Sequence, residues 1–168
     1  MTIIPAPKPN SVKRCWPWQP WPDMVRNLVS VAHHEAGHIV ALEWIGLSTT
    51  LSATASATEG AAYHGVMPGT RPAGPPDESG EITAAGASMF HAGLMAEMIL
   101  HGKVWSGPIH YPDQEDYQRA NEMLREAFGH CSSAGHAYAQ RTALHVLSSR
   151  WARVQEIADV LVKRGAWP

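Results

Sequence analysis

The stretch from Val31 to Val40, VAHHEAGHIV, sets three histidines and a glutamate among apolar and small residues. Around it Val25, Leu28, Val31, Ala32, Ala36, Ile39, Val40 and Ala41 recur at helical spacing, which predicts a helix from Met24 to Ile45, capped by Asp23 and stopped by Gly46. Residues four apart on a helix share a face, so the imidazoles of His34 and His38 can reach one metal ion. Glu35 then projects beside that ion, where it can hold a metal-bound water and take its proton. His34-Glu35-Ala36-Gly37-His38 is thus an HExxH motif on a helix. His33 points about 100° away from His34 and reads as packing or surface.

The rest of the chain predicts a mainly α domain with a small β element. Residues 1–22 carry six prolines and the tryptophans Trp16, Trp18 and Trp21. This arm cannot be helical and should run extended. Its indoles are costly to leave in water, so they should dock on the arm's own domain, residues 23–168, or on another protein. Small and β-prone residues from Thr49 to Met67 predict two short strands turning at Glu59-Gly60. Residues 67–80, with their prolines and glycines, read as a surface loop bordering a cleft. A helix from Ile82 to His101 should close at Gly102, and another from Asp113 to Phe128 at Gly129, with Asp113 as its N-cap. Ser133 to Arg164 reads as one long helix or two abutting ones.

The balance of charge excludes some partners. A net charge of −2 without a clustered basic face gives no reason to expect nucleic acid. No run of 18 apolar residues offers a membrane span and no secretory leader is visible, so a cytoplasmic location is the expectation. Cys15 and Cys131 are too few for a disulfide framework and lack zinc-thiolate spacing, so both read as reduced thiols. His91, His101, His110, His130, His136 and His145 lack ligand spacing and read as surface or helix-end residues.

A catalytic zinc takes three protein ligands and keeps one position open; it lowers the pKa of its bound water from about 15.7 to about 7. The third ligand does not follow in the same helix, because the positions after His38 are Ile39, Val40, Ala41, Leu42, Glu43 and Trp44. It should come from a distant segment: Glu97 in the second helix, or Asp113, Glu115 or Asp116 at the start of the third. Spacing does not choose among these.

The segments AHHEAGH, AGLMAEMILHG and DQEDYQRAN, followed by a long terminal helix, resemble in order and separation the peptidase domain of the FtsH-type ATP-dependent zinc metalloproteases, over roughly residues 24–165. The resemblance implies a helical zincin-like peptidase domain with a two- or three-stranded β element. In that family the third ligand is an aspartate followed by an apolar residue, with alanine four positions on. Asp116, Tyr117 and Ala120 match that pattern, whereas Asp113 has Tyr117 in the alanine position. Glu97 matches the family's second-helix glutamate, and a hydrogen bond to a ligand histidine is the role this implies. The implied activity is a zinc-dependent endopeptidase, with His34, His38 and Asp116 on Zn2+ and Glu35 as base.

A strand over Ala61 to Val66 could receive an extended polypeptide substrate by edge pairing, with His64 and Gly65 lining the cleft. No GxxxxGK[ST] phosphate loop is present, so unfolded polypeptides are the expected substrates unless an ATPase partner acts in trans. The family's rings raise a homo-oligomer. Two other readings stand beside the enzyme: a zinc-tied binding module, and a catalytically idle adaptor descended from such a peptidase.

Overall fold

The computed structural model describes residues 15–46, 48–66 and 81–168. It is mainly helical with a small antiparallel sheet, as the sequence predicts. Helix α1 runs Leu28–Ile45, and α2, Glu81–Leu100, packs along it. Gly37 makes that packing close: a Cβ there would lie 2.6 Å from the Ala92 carbonyl oxygen and 2.7 Å from the Ala96 Cβ. Helix α3 is Glu115–Phe128, and a 3-10 turn, Gly129–Cys131, leads into α4, Ser132–Ser149. After a break at Arg150 comes α5, Trp151–Arg164, so the long terminal segment is two abutting helices. Helix α5 lays Val154, Ile157, Ala158 and Leu161 on the core, at the spacing of one helical face.

Helix α1 touches α2, α4, α5 and the sheet, which is why twelve of its residues are buried. Leu94, Met95, Met98, Leu147, Ile157 and Leu161 pack with its Ile39 in one core cluster. A smaller cluster around Leu124 and Phe128 joins α3 to α4. No helix among the described residues is long and apolar enough to cross a membrane.

Strands β1, Ser48–Ala55, and β2, Gly60–Val66, form the expected hairpin. Its turn is closed by Ser56, whose N–H donates to the Glu59 carbonyl at 2.7 Å. A third strand, β3, Ala166–Trp167, pairs with the other side of β1. The order β2-β1-β3 leaves β2 at an edge. The surface loop expected over residues 67–80 lies outside the described residues.

The described part of the arm lies on its own domain. Trp16 packs on Trp105 and Tyr138, Trp18 on His110, Tyr117 and His136, and Trp21 on Tyr111. The backbone of Gln19 exchanges hydrogen bonds with Pro108 and His110, at 2.8 and 2.9 Å. The arm thereby grips the segment that leads into α3.

Three expectations are corrected here. Cys15 and Cys131 are not free thiols: they form a disulfide, with Cα atoms 4.8 Å apart, because the arm folds back to the end of α3. Helix α1 starts at Leu28 with Asn27 as its N-cap, so Asp23 does not cap it. Helix α3 starts at Glu115 after Gln114, which displaces Asp113 from the cap.

Candidate metal centre

Helix α1 presents His34 and His38 one turn apart, and the first turn of α3 brings Asp116 to them. The distances are 3.1 Å from His34 Nε2 to Asp116 Oδ2, 3.0 Å from His38 Nε2 to the same oxygen, and 3.1 Å between the two Nε2 atoms. Ligand atoms about 2.05 Å from a tetrahedral zinc are about 3.3 Å apart, so this triangle fits such an ion to within a few tenths of an ångström. The remaining ring nitrogens are engaged. His34 Nδ1–H donates to Glu97 Oε1 and His38 Nδ1–H to the Met89 carbonyl, both at 2.6 Å. With both Nδ1 atoms donating, the Nε2 lone pairs of the neutral rings face the common point. His34, His38 and Asp116 thus form a group that could hold a metal ion.

The carboxylates set the proton affinity of the group. Burial opposes a charge on His34, but hydrogen bonds to Asp116 and Glu97 and the nearby Glu35 carboxylate prevail and lift its pKa to about 10. His38 is also raised, Asp116 outweighing burial. Burial would raise Asp116 and Glu97, yet the imidazoles beside them hold both below the usual carboxylate range. A proton therefore competes for the place where a cation would sit, so cation binding must strengthen as pH rises.

Glu35 is 5% exposed, and its carboxylate makes no hydrogen bond or ion pair with a described residue. The first residue of β2 lies against it: a Cβ on Gly60 would come within 2.8 Å of Glu35 Cγ. Glycine is required at position 93 as well, since any side chain there would fall on the His34 ring. Glu97, 2% exposed, accepts from His34. Ser30 is its other donor, at 3.2 Å.

His64 is exposed on β2, and Gly65 donates to Thr50 Oγ1. Both lie toward the far end of the strand from Gly60, about 13 Å away for His64 and about 17 Å for Gly65 at 3.3 Å per residue. No hydrogen bond or ion pair joins either to the ligand group. Glu43 pairs instead with Arg153 at 3.1 Å. His33 packs, as one of its two expected roles had it, stacking on Trp151 with Nδ1–H donating to the Val29 carbonyl.

Two histidines expected at the surface are among the most buried groups in the chain. His91 and His136 are fully inaccessible, and His91 Nε2 lies 2.8 Å from His136 Nδ1. Asn121 Oδ1 accepts from His136 Nε2–H at 3.0 Å. That fixes the direction of the chain: His91 Nε2–H donates to His136, and the Tyr111 hydroxyl donates to His91 Nδ1. The network ties α2, α3 and α4 to the segment before α3, and Tyr117, next to Asp116, stacks on the His136 ring at 4.6 Å. Burial pushes the pKa of His91 down to about 3 and that of His136, with His91 and His110 adding to it, to about 2.

Acid sensitivity follows. Both folded values lie below the unfolded value of about 6.5, so this contribution is full above that pH and is lost as pH falls. From pH 7 to pH 5 each costs about 2 kcal/mol, and the pair about 4 kcal/mol. His34, raised to about 10, works in the opposite sense in metal-free protein, its contribution being full below about 6.5 and fading as pH rises. It returns about 1 kcal/mol on the same descent, and His38 acts in the same direction. Urea unfolding in the presence of a chelator should therefore give a stability about 2 to 3 kcal/mol lower at pH 5 than at pH 7. Equal or greater stability at pH 5 would contradict neutral burial of the pair.

Compared with protein-family models and with curated proteins, the chain matches none.

Proposed function

We propose that the chain is a zinc-dependent metalloendopeptidase that hydrolyses peptide bonds in unstructured polypeptides. The observation that carries this reading is a three-ligand group with the Glu35 carboxylate beside it, which makes no hydrogen bond to a described residue. A structural zinc closes its shell with a fourth protein ligand and needs no base; three ligands with Glu35 alongside suit catalysis better. The likeness of HEAGH, AGLMAEMILHG and the Asp116 segment to FtsH-type peptidases supports the same reading.

Zinc in this position supplies Lewis-acid polarisation of the scissile carbonyl and a water acidic enough to attack at neutral pH. His34 and His38 are held as Nε2 donors by Glu97 and the Met89 carbonyl, and Asp116 contributes the third, anionic donor. Glu35 takes the proton of the attacking water and passes it to the leaving amine nitrogen. The edge of β2, unpaired among the described residues and starting against Glu35 at Gly60, can take an extended chain as an added strand and so align its scissile bond. Strand addition requires an unfolded segment, which makes flexible tails and denatured proteins the substrate class, or folded ones delivered by an ATPase partner in trans.

The reading is tested by removing and restoring the metal. Chelator-treated protein should lose cleavage of a casein-type substrate, and one equivalent of zinc should restore it. Unchanged cleavage after the metal has been removed, or failure to take up any transition ion stoichiometrically, would sink the proposal.

A further inference from the structure

Ser30 sits in the first turn of α1, four residues before His34, and is fully buried. Its backbone N–H is already used, donating to the Asn27 side chain at 3.0 Å. A serine inside a helix commonly turns its hydroxyl back to a carbonyl one turn earlier. This one reaches across to α2 and donates to Glu97 Oε2 at 3.2 Å. Behind it, His101 Nε2 lies 3.4 Å from the same hydroxyl oxygen. Since the Ser30 hydrogen is committed to Glu97, the oxygen can accept from His101 Nε2–H.

The Glu97 carboxylate is therefore held at both ends by α1. Oε1 accepts from His34 Nδ1–H and Oε2 from Ser30, donors separated by one helical turn. One hydrogen bond leaves a carboxylate free to rotate about the bond that carries it; two fix its plane. Arg26 stands 3.9 Å from Oε1 with its side chain 45% exposed, so it adds charge without direction.

We infer that Ser30 is a positioning residue of the metal centre: it orients Glu97, and through Glu97 it fixes the ring plane and tautomer of His34. This inference rests on the reading that His34, His38 and Asp116 bind a cation.

The test uses Co2+ as probe, with affinity measured by chelator competition and the visible absorption recorded at saturation. Outer partners of metal ligands typically change affinity by about 10- to 100-fold. Ser30→Ala, which introduces the best helix former, should weaken Co2+ about tenfold and shift the visible band. In a Glu97→Ala background the same substitution should have no further effect, because the path from Ser30 to His34 is already cut. Ser30→Thr, which keeps the hydroxyl, should recover affinity.

Wild-type affinity in Ser30→Ala, an equal loss in both backgrounds, or a failure of Ser30→Thr to recover binding would overturn the role of Ser30 alone. If the wild-type chain takes up no Co2+, the metal-centre reading falls and this inference with it.

Discussion

Replacing Glu35 with glutamine is expected to lower polypeptide hydrolysis by about 10²- to 10⁴-fold, the range for loss of a positioned general base, while the metal stays bound. The amide keeps the size of the side chain but accepts no proton. The substitution should also be mild for the fold, since this carboxylate has no partner among the described residues to lose. Metal retention is expected because His34, His38 and Asp116 close their triangle without Glu35. Removing the carboxylate charge, one of the causes that raise the two imidazoles, makes their protons easier to displace. Metal content and casein cleavage measured on one preparation decide the matter. Equal cleavage by both proteins would remove Glu35 from the chemistry, and joint loss of metal and activity would show that it is needed to hold the ion.

The second large effect concerns the arm. The Cys15–Cys131 disulfide joins residues 116 positions apart. In the chain-entropy account, a bond closing a loop of that length restricts the unfolded chain by close to 5 kcal/mol, and losses of about 2 to 5 kcal/mol are typical when native disulfides are removed. Cys131→Ser, or reduction by a dithiol, should therefore move the urea midpoint downward by a corresponding amount. Coincident unfolding curves for oxidised and reduced protein would show that the bond adds nothing. Stabilising disulfides belong to oxidising surroundings. The expected cytoplasmic location, drawn from the lack of a membrane span and a leader, finds no support in these cysteines.

Helix ends were easier to anticipate than helix starts. Gly46, Gly129 and Gly165 take φ of 77°, 56° and 73°, a region that glycine enters without penalty, so a glycine after an apolar pattern marks a stop. The starts expected near Ile82 and Ser133 fall within one residue of those observed, and the misses are the caps at Asp23 and Asp113. Residues before Leu28 continue the arm, with Trp21 on Tyr111 and Met24 against the core, and the helix begins only where Asn27 can accept from Ser30. The two-residue β3 was invisible because it exists only through register with Ala53 and Thr54.

The candidate metal centre divides in the same way. His34 and His38 are legible because their spacing is local and matches a helical turn. Asp116 is 78 residues beyond His38, so its place depends on how three helices pack, and only the resemblance singled it out. The His91–His136 pair, 45 residues apart on different helices, leaves no spacing to read. Gly93 left a faint sign, because glycine inside a helix costs about 1 kcal/mol relative to alanine and so asks for a packing reason. The reason is the His34 ring.

The contact of Gly37 with Ala92 and Ala96 bears on how such a centre could change its preferred ion. Both histidines are mounted where two helices are already as near as backbone atoms allow, and an added methyl would wedge them apart. Retuning of size or softness is thereby channelled to the opposite side, where Asp116 keeps 30% of its side chain open to solvent on a helix with one wet face. Among the three ligands, Asp116 is thus the one whose position can change without forcing the two helices apart.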